Sequence, residues 1–282
     1  METSTPLASL PVPLAGLALA PEGRRIVAWG QEHIFVLDGG GSVVKKRLVA
    51  GPGNVVGVAV DVAGRVYYAA HNRHGLACLG PDLQAVWQKR IRRLVSVATT
   101  PFGEYVIVGT QDARLYVLDR YGRRVAHAST MRPPKWLVVA AAEEAVFAGA
   151  DSTVVSRYDI KLDEVWEERV SSPIGPIACP GNAMYLLVSA YAYGLERYRT
   201  DGRYEGNYQI RNGVRLVDVD FDGSTIVAVT LDRHLVVLNA LGVVQREIAL
   251  GDAEPAALCL APTGELAYYS VENQIFARQI RG

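Results

Sequence analysis

Arg114-Leu115-Tyr116-Val117-Leu118-Asp119-Arg120-Tyr121-Gly122-Arg123 decides the fold. Leucine, aromatic and β-branched residues suit a pleated strand, while Asp and Gly supply the chemistry of a tight turn. The chain then repeats itself. His33-Ile34-Phe35-Val36-Leu37-Asp38 and His234-Leu235-Val236-Val237-Leu238-Asn239 are close copies, and residues 75–80, 154–159, 194–199 and 274–279 are looser ones. Their last residues are 38, 80, 119, 159, 199, 239 and 279, so the steps are 42, 39, 40, 40, 40 and 40.

A fixed period of this length marks stacked units that bury a core only against one another. Each unit divides into four short strands. The first, at 14–20, 55–61, 94–100, 135–141, 173–179, 215–221 and 255–261, is mostly apolar on both alternating faces. Such a strand must be covered on both sides. A turn closed by Gly23, Gly64, Gly103, Gly223 or Gly264 follows; Glu143-Glu144 and Gly181-Asn182 stand there in units four and five. The second strand is the richest in Val, Ile, Tyr and Phe. The third is the opening motif. Glycine follows its last residue by three positions in four of six complete copies, at Gly41, Gly122, Gly202 and Gly242. That spacing fits a hairpin loop with one left-handed residue. The fourth strand is the most polar, as an outer sheet edge should be.

Four strands in about 40 residues is the β-propeller pattern. The predicted fold is therefore all-β: a seven-bladed β-propeller with four antiparallel strands per blade, residues 1–282 forming one domain. The seventh unit ends after three strands. Residues 3–10 precede the first strand of unit one, so they are expected to join the last blade and close the ring.

The aspartates Asp38 and Asp119, the Pro-x-Gly turns and the trailing glycines resemble WD40-like and PQQ-like (quinoprotein-type) repeats over essentially the whole chain. The Gly-His opening and the Trp-Asp dipeptide of true WD40 repeats are missing. The PQQ-like pattern is closer: Trp87 and Trp166 each lie seven residues after the end of a third strand, where other units carry Lys45, Ala126, Gly206 and Arg246. The resemblance implies the propeller fold. It leaves activity open, because propellers host scaffolds, lyases, hydrolases and oxidoreductases. A quinoprotein site would also need calcium ligands and a disulfide, and the sequence shows neither.

Composition narrows the function classes. Half the residues are hydrophobic, and 29 Lys and Arg balance 29 Asp and Glu, so no global charge favours nucleic acid or an anionic membrane. No apolar run reaches membrane-spanning length. Residues 6–20 end in Ala18-Leu19-Ala20, followed by Pro21, like a signal cleavage site. A basic leading region is absent, however, Pro6, Pro11 and Pro13 interrupt the segment, and residues 14–23 align with a repeated strand. The N-terminus is expected to be retained and the protein cytoplasmic. Cys78, Cys179 and Cys259 show no C-x-x-C spacing, and the last two hold places taken elsewhere by Ala18, Val60, Thr99, Val139 and Val219. They read as buried free thiols, with no disulfide or zinc site.

No Gly-x-Ser-x-Gly, P-loop or dinucleotide fingerprint occurs. His33, His74 and His234 fall where loops enter third strands, but without ligand spacing they read as loop residues, and no metal or cofactor is expected. Glu143-Glu144 and Glu167-Glu168 read as solvated. Charge sorted by face is more informative. Loops from second to third strand share a face with crossovers from each outer strand to the next inner one. That face collects Arg73, Arg90, Arg92, Arg93, Arg114, Arg132, Lys135, Arg211, Arg215 and Arg233 against Glu32, Asp112, Asp151, Asp232, Asp252, Glu254 and Glu272. Blades two to four carry most of the base. Trp136, Tyr191 and Tyr193 lie near it as possible anchors, Trp136 alternatively belonging to the core of its strand. The expectation is a non-catalytic interaction scaffold, docking protein partners through this face as a subunit of a larger assembly and needing no membrane. The alternatives are an enzyme or small-ligand binder at the channel mouth, quinoprotein- or lyase-like, and nucleic-acid or phosphate binding through the arginines.

Overall fold

The computed structural model describes residues 5–20, 22, 24–49, 51–150, 152–191, 193–252 and 254–281. Of the residues named above, Pro21, Gly23, Asp151 and the first two of 3–10 lie outside these. The chain folds into seven four-stranded antiparallel sheets. Blade one is typical: Gly16–Ala20, Arg25–Trp29, His33–Asp38 and Val43–Leu48 run outward in sequence order. Burial is deepest in the second and third strands, as at Val106, Ile107 and Val108, and least in the outer strand, as in blade one.

The opening motif folds as its residues dictate. The Asp119 carboxylate accepts the N–H groups of Tyr121 and Arg123, both at 2.9 Å, and pins the turn. Asp38, Asp159 and Asn239 do the same in their blades. The register between third and outer strands shifts just before this turn in blades one to six. One extra residue there bends the outer strand, as a bulge beside a left-handed turn residue does.

The ring closes as expected, through a shorter ladder than residues 3–10 suggest. Ala8–Ser9 pairs antiparallel with Gln274–Gln279, Ala8 opposite Ile275 and Ser9 opposite Gln274. Main-chain bonds from the N–H groups of Leu7, Leu10 and Leu14 to Ile275, Asn273 and Glu272 extend the attachment, at 2.7, 2.8 and 2.7 Å. This pairing covers the edge that the seventh blade would otherwise leave open.

Neighbouring blades meet over separate apolar clusters. At the rim the outer strand of one blade clasps the turn of the next. Trp87 Nε1 donates to the Arg120 carbonyl at 2.8 Å, Trp166 Nε1 to Thr200 at 2.8 Å, and the Tyr208 hydroxyl to Ala240 at 2.8 Å. Trp87 and Trp166 thus fasten blade to blade. All three cysteines are free, Cys78 buried and Cys179 and Cys259 half-buried, and burial pushes the Cys78 thiol up to about 11. Among the described residues no helix is long and apolar enough to cross a membrane.

Candidate partner-docking face

Two antiparallel hairpins per blade bring the second-to-third loops and the interblade crossovers to the same side of the disc. All twelve positions picked from the sequence lie there: Arg73, Arg90, Arg92, Arg93, Arg114, Arg132, Lys135, Trp136, Tyr191, Tyr193, Arg211 and Arg233. Sharing a face does not make them equivalent. Arg114 Nε lies 3.3 Å from an Asp112 oxygen, Arg233 Nη1 donates to the Asp252 carbonyl at 2.8 Å, and Arg215 is ion-paired with Glu254. Those cations already have local partners.

Trp136 is half-buried against the cluster between blades four and five, with the Lys135 ammonium 5.0 Å from its ring centre. Its place is in the core of its strand, the second of the two readings. Tyr191 and Tyr193 remain exposed, at 37% and 52%, on the blade-five loop.

Arg90, Arg92 and Arg93 are different. They occupy the crossover from blade two to blade three, and all three are exposed. The crossover is held rigidly between two loops. Arg93 sits at φ 58°, its N–H donates to the Asn72 carbonyl at 3.0 Å, and its carbonyl accepts Gln111 N–H at 2.8 Å. Beneath them, between the blades, is a cavity of about 430 Å³ lined also by Lys89, Arg124, Tyr116 and Asp112. A hydrogen bond from Thr110 holds the Asp112 carboxyl below its usual range, with Arg114 and Arg93 adding their charges. Lys89 and Arg124 had not stood out in the sequence, because they lie on outer strands rather than in loops.

The histidines do not converge. His33 stacks on Phe35 at 5.7 Å, the His74 ring is tilted against that of His71 with centres 4.4 Å apart, and His234 Nδ1 lies 3.3 Å from Asp232. His71 shapes its own loop: Nδ1 accepts the N–H groups of Arg73 and His74, both at 3.1 Å, and burial, then His74, lowers its pKa. Among the described residues no group of three or more His, Cys, Asp or Glu could hold a metal ion.

One titrating group escaped the sequence reading. Asp218 is half-buried between the inner strands of blades six and seven, where its oxygens accept the N–H groups of Val219 at 2.9 Å and Leu260 at 2.7 Å. Enclosure by both strands pushes its pKa up to about 6, against the pull of those two donors. The signal was an acid set between two valines, Val217 and Val219, in the inner strand of blade six.

No family model matches the chain, and no curated protein matches it. Among solved structures, the β-propeller domain of Cps50 (Swd1) from Myceliophteria thermophila superimposes with a TM-score of 0.82 at 13% identity. The match spans 95% of this chain and 96% of that one. Identity this low carries the fold alone: the chain is a seven-bladed β-propeller.

Proposed function

We propose that this protein is a non-catalytic interaction platform, a rigid cytoplasmic disc that docks protein partners through its crossover face as a subunit of a larger assembly. One observation carries the reading. Arg90, Arg92 and Arg93 stand exposed on a crossover whose backbone is bonded to the loops on both sides. Preorganised side chains lose little entropy when a partner docks, so more of the contact energy reaches affinity. Local positive charge on a neutral chain also steers an acidic surface into register. Tyr191 and Tyr193 add exposed aromatic area of the kind interfaces use.

The test is affinity capture from the native cell with the full chain and with R92E/R93E/R132E. The wild-type chain is expected to retain specific proteins in stoichiometric amounts, and the variant to lose them. Equal recovery by both would retire this face as the docking surface.

A further inference from the structure

The blade two–three groove has counterparts elsewhere in the ring, and they are unlike it. Between blades one and two a space of about 350 Å³ is lined by Arg47, His71, His74 and mostly apolar residues. Between blades three and four the space shrinks to about 10 Å³. Between blades five and six, about 260 Å³ holds Arg211 facing an acid, Glu247. The two–three groove alone of these gathers Lys89, Arg90, Arg92, Arg93 and Arg124 around a single acid, Asp112.

The charges in it are spoken for unequally. Lys89 Nζ donates to the Gly122 carbonyl at 2.8 Å, and Asp112 faces Arg114. The side chains of Arg90, Arg92 and Arg124 donate no hydrogen bond to, and form no ion pair with, the described residues. The lining is not purely polar: Ile91 and Tyr116 are half-buried over the buried Leu118. Unpaired guanidiniums around a partly apolar hollow fit an anion that also carries hydrocarbon.

We propose that the blade two–three groove binds an extended acidic peptide segment of a protein partner. Its carboxylates would meet Arg92 and Arg124 and an intervening apolar side chain would lie on Tyr116 and Ile91. The proposal rests on the platform reading and names the partner's chemistry. A protein segment fits better than a nucleic-acid strand for two reasons. The cations surround one hollow of roughly the size of a small-ligand pocket, rather than marking out a track along which successive phosphates could lie. The chain as a whole is neutral and lacks the field that draws a polyanion. Guanidinium forks pair with carboxylates through two parallel N–H donors, which fixes direction as well as charge.

The direct test is fluorescence polarisation with a labelled peptide of alternating Glu and Leu, and in parallel with a labelled single-stranded oligonucleotide. The wild-type chain is expected to bind the peptide, more weakly as salt rises. R92E/R124E is expected to weaken it by about tenfold or more. R92Q/R124Q should fall between, while K161E/R203E, the same charge change among exposed residues of the opposite face, should leave binding intact. The proposal is overturned by no peptide binding, by equal binding to R92E/R124E, by an equal loss in K161E/R203E, or by preference for the oligonucleotide. Partner capture separates this failure from failure of the platform. If R92E/R124E recovers the same proteins as wild type, the groove is refuted and the platform stands. If nothing is captured yet the peptide binds through Arg92 and Arg124, the platform is refuted and the groove stands.

Discussion

The junction between blades two and three and the junction between blades three and four fill the same space in opposite ways. In the first, Trp87 lies flat against the next turn, where Gly122 has φ 75°. A Cβ on Gly122 would stand 3.0 Å from the indole. In the second, the outer strand offers only Ala126, and the turn supplies Leu162, buried at φ 63° in the cluster that holds Ala126. Three other junctions follow one solution or the other. Gly202 faces Trp166 and Gly242 faces Tyr208, whereas Leu83, at φ 62° and buried, comes with Lys45 on the preceding outer strand. At the ring closure Gly41 faces Leu7 of the N-terminal segment. What the repeat maintains is the volume of the junction, not the residue. A leucine in the left-handed region costs on the order of 1–2 kcal/mol of backbone strain, which burial of its side chain, worth about as much or more, offsets.

The comparison breaks most severely where one side of a junction is removed altogether. Deleting residues 1–10 takes Leu7 from Gly41, removes buried Leu10 and exposes the edge of Gln274–Gln279. A loss of several kcal/mol is expected, read in calorimetry as a fall of the unfolding midpoint on the order of 10 °C. An unchanged midpoint would mean that three-stranded closure suffices.

Within a single junction, both W87A and G122L should destabilise by about 3 kcal/mol each, one by a cavity and a lost hydrogen bond, the other by strain and overlap with the ring. W87A/G122L reproduces the Ala126–Leu162 arrangement and should recover about 1 kcal/mol or more relative to the sum. Strict additivity in denaturant unfolding would refute the volume argument. A126W, the reverse intrusion upon Leu162, should cost about 1–3 kcal/mol by overpacking.

The smallest effect is expected at Asp218, where no rim contact is involved. Its folded pKa, about 6, is above the ordinary carboxylate value, so the native state holds the proton more tightly than the unfolded chain. The stabilisation is complete below the unfolded pKa of about 4 and disappears as pH rises through 6. Wild-type stability should therefore decline across that window, and D218N should flatten the decline. A decline of the same depth in D218N would assign it to other groups.

Much of this architecture could be read from one chain because its signals are local. Asp119 caps N–H groups two and four residues ahead, so the turn is visible as soon as Asp and Gly recur at fixed spacing. The strand count leaves blade seven one short, which pointed to the N-terminal segment before any contact was known. Glycine at four of six turn positions was attributed to backbone conformation alone. The aromatic ring lying on three of them was not visible, since Trp87 and its acceptor Arg120 are 33 residues apart and the link depends on how closely two blades approach.

The docking face divides along the same line. Alternation of hairpins is enough to put twelve positions on one side of the disc. Which cations are already neutralised is a matter of distance across loops: Arg233 reaches Asp252, Arg215 reaches Glu254, and Arg92 reaches no partner among the described residues. Trp136 turned inward because its strand faces the blade-five core, and Arg124 joined Arg92 across a gap between sheets. By itself the sequence determined the period, the strand order, the turn chemistry and the face on which each loop emerges, all set by spacing along the chain. Only the tertiary structure decided the blade junctions, the enclosure of Asp218 and the charged groove, because each depends on the separation between residues of neighbouring sheets.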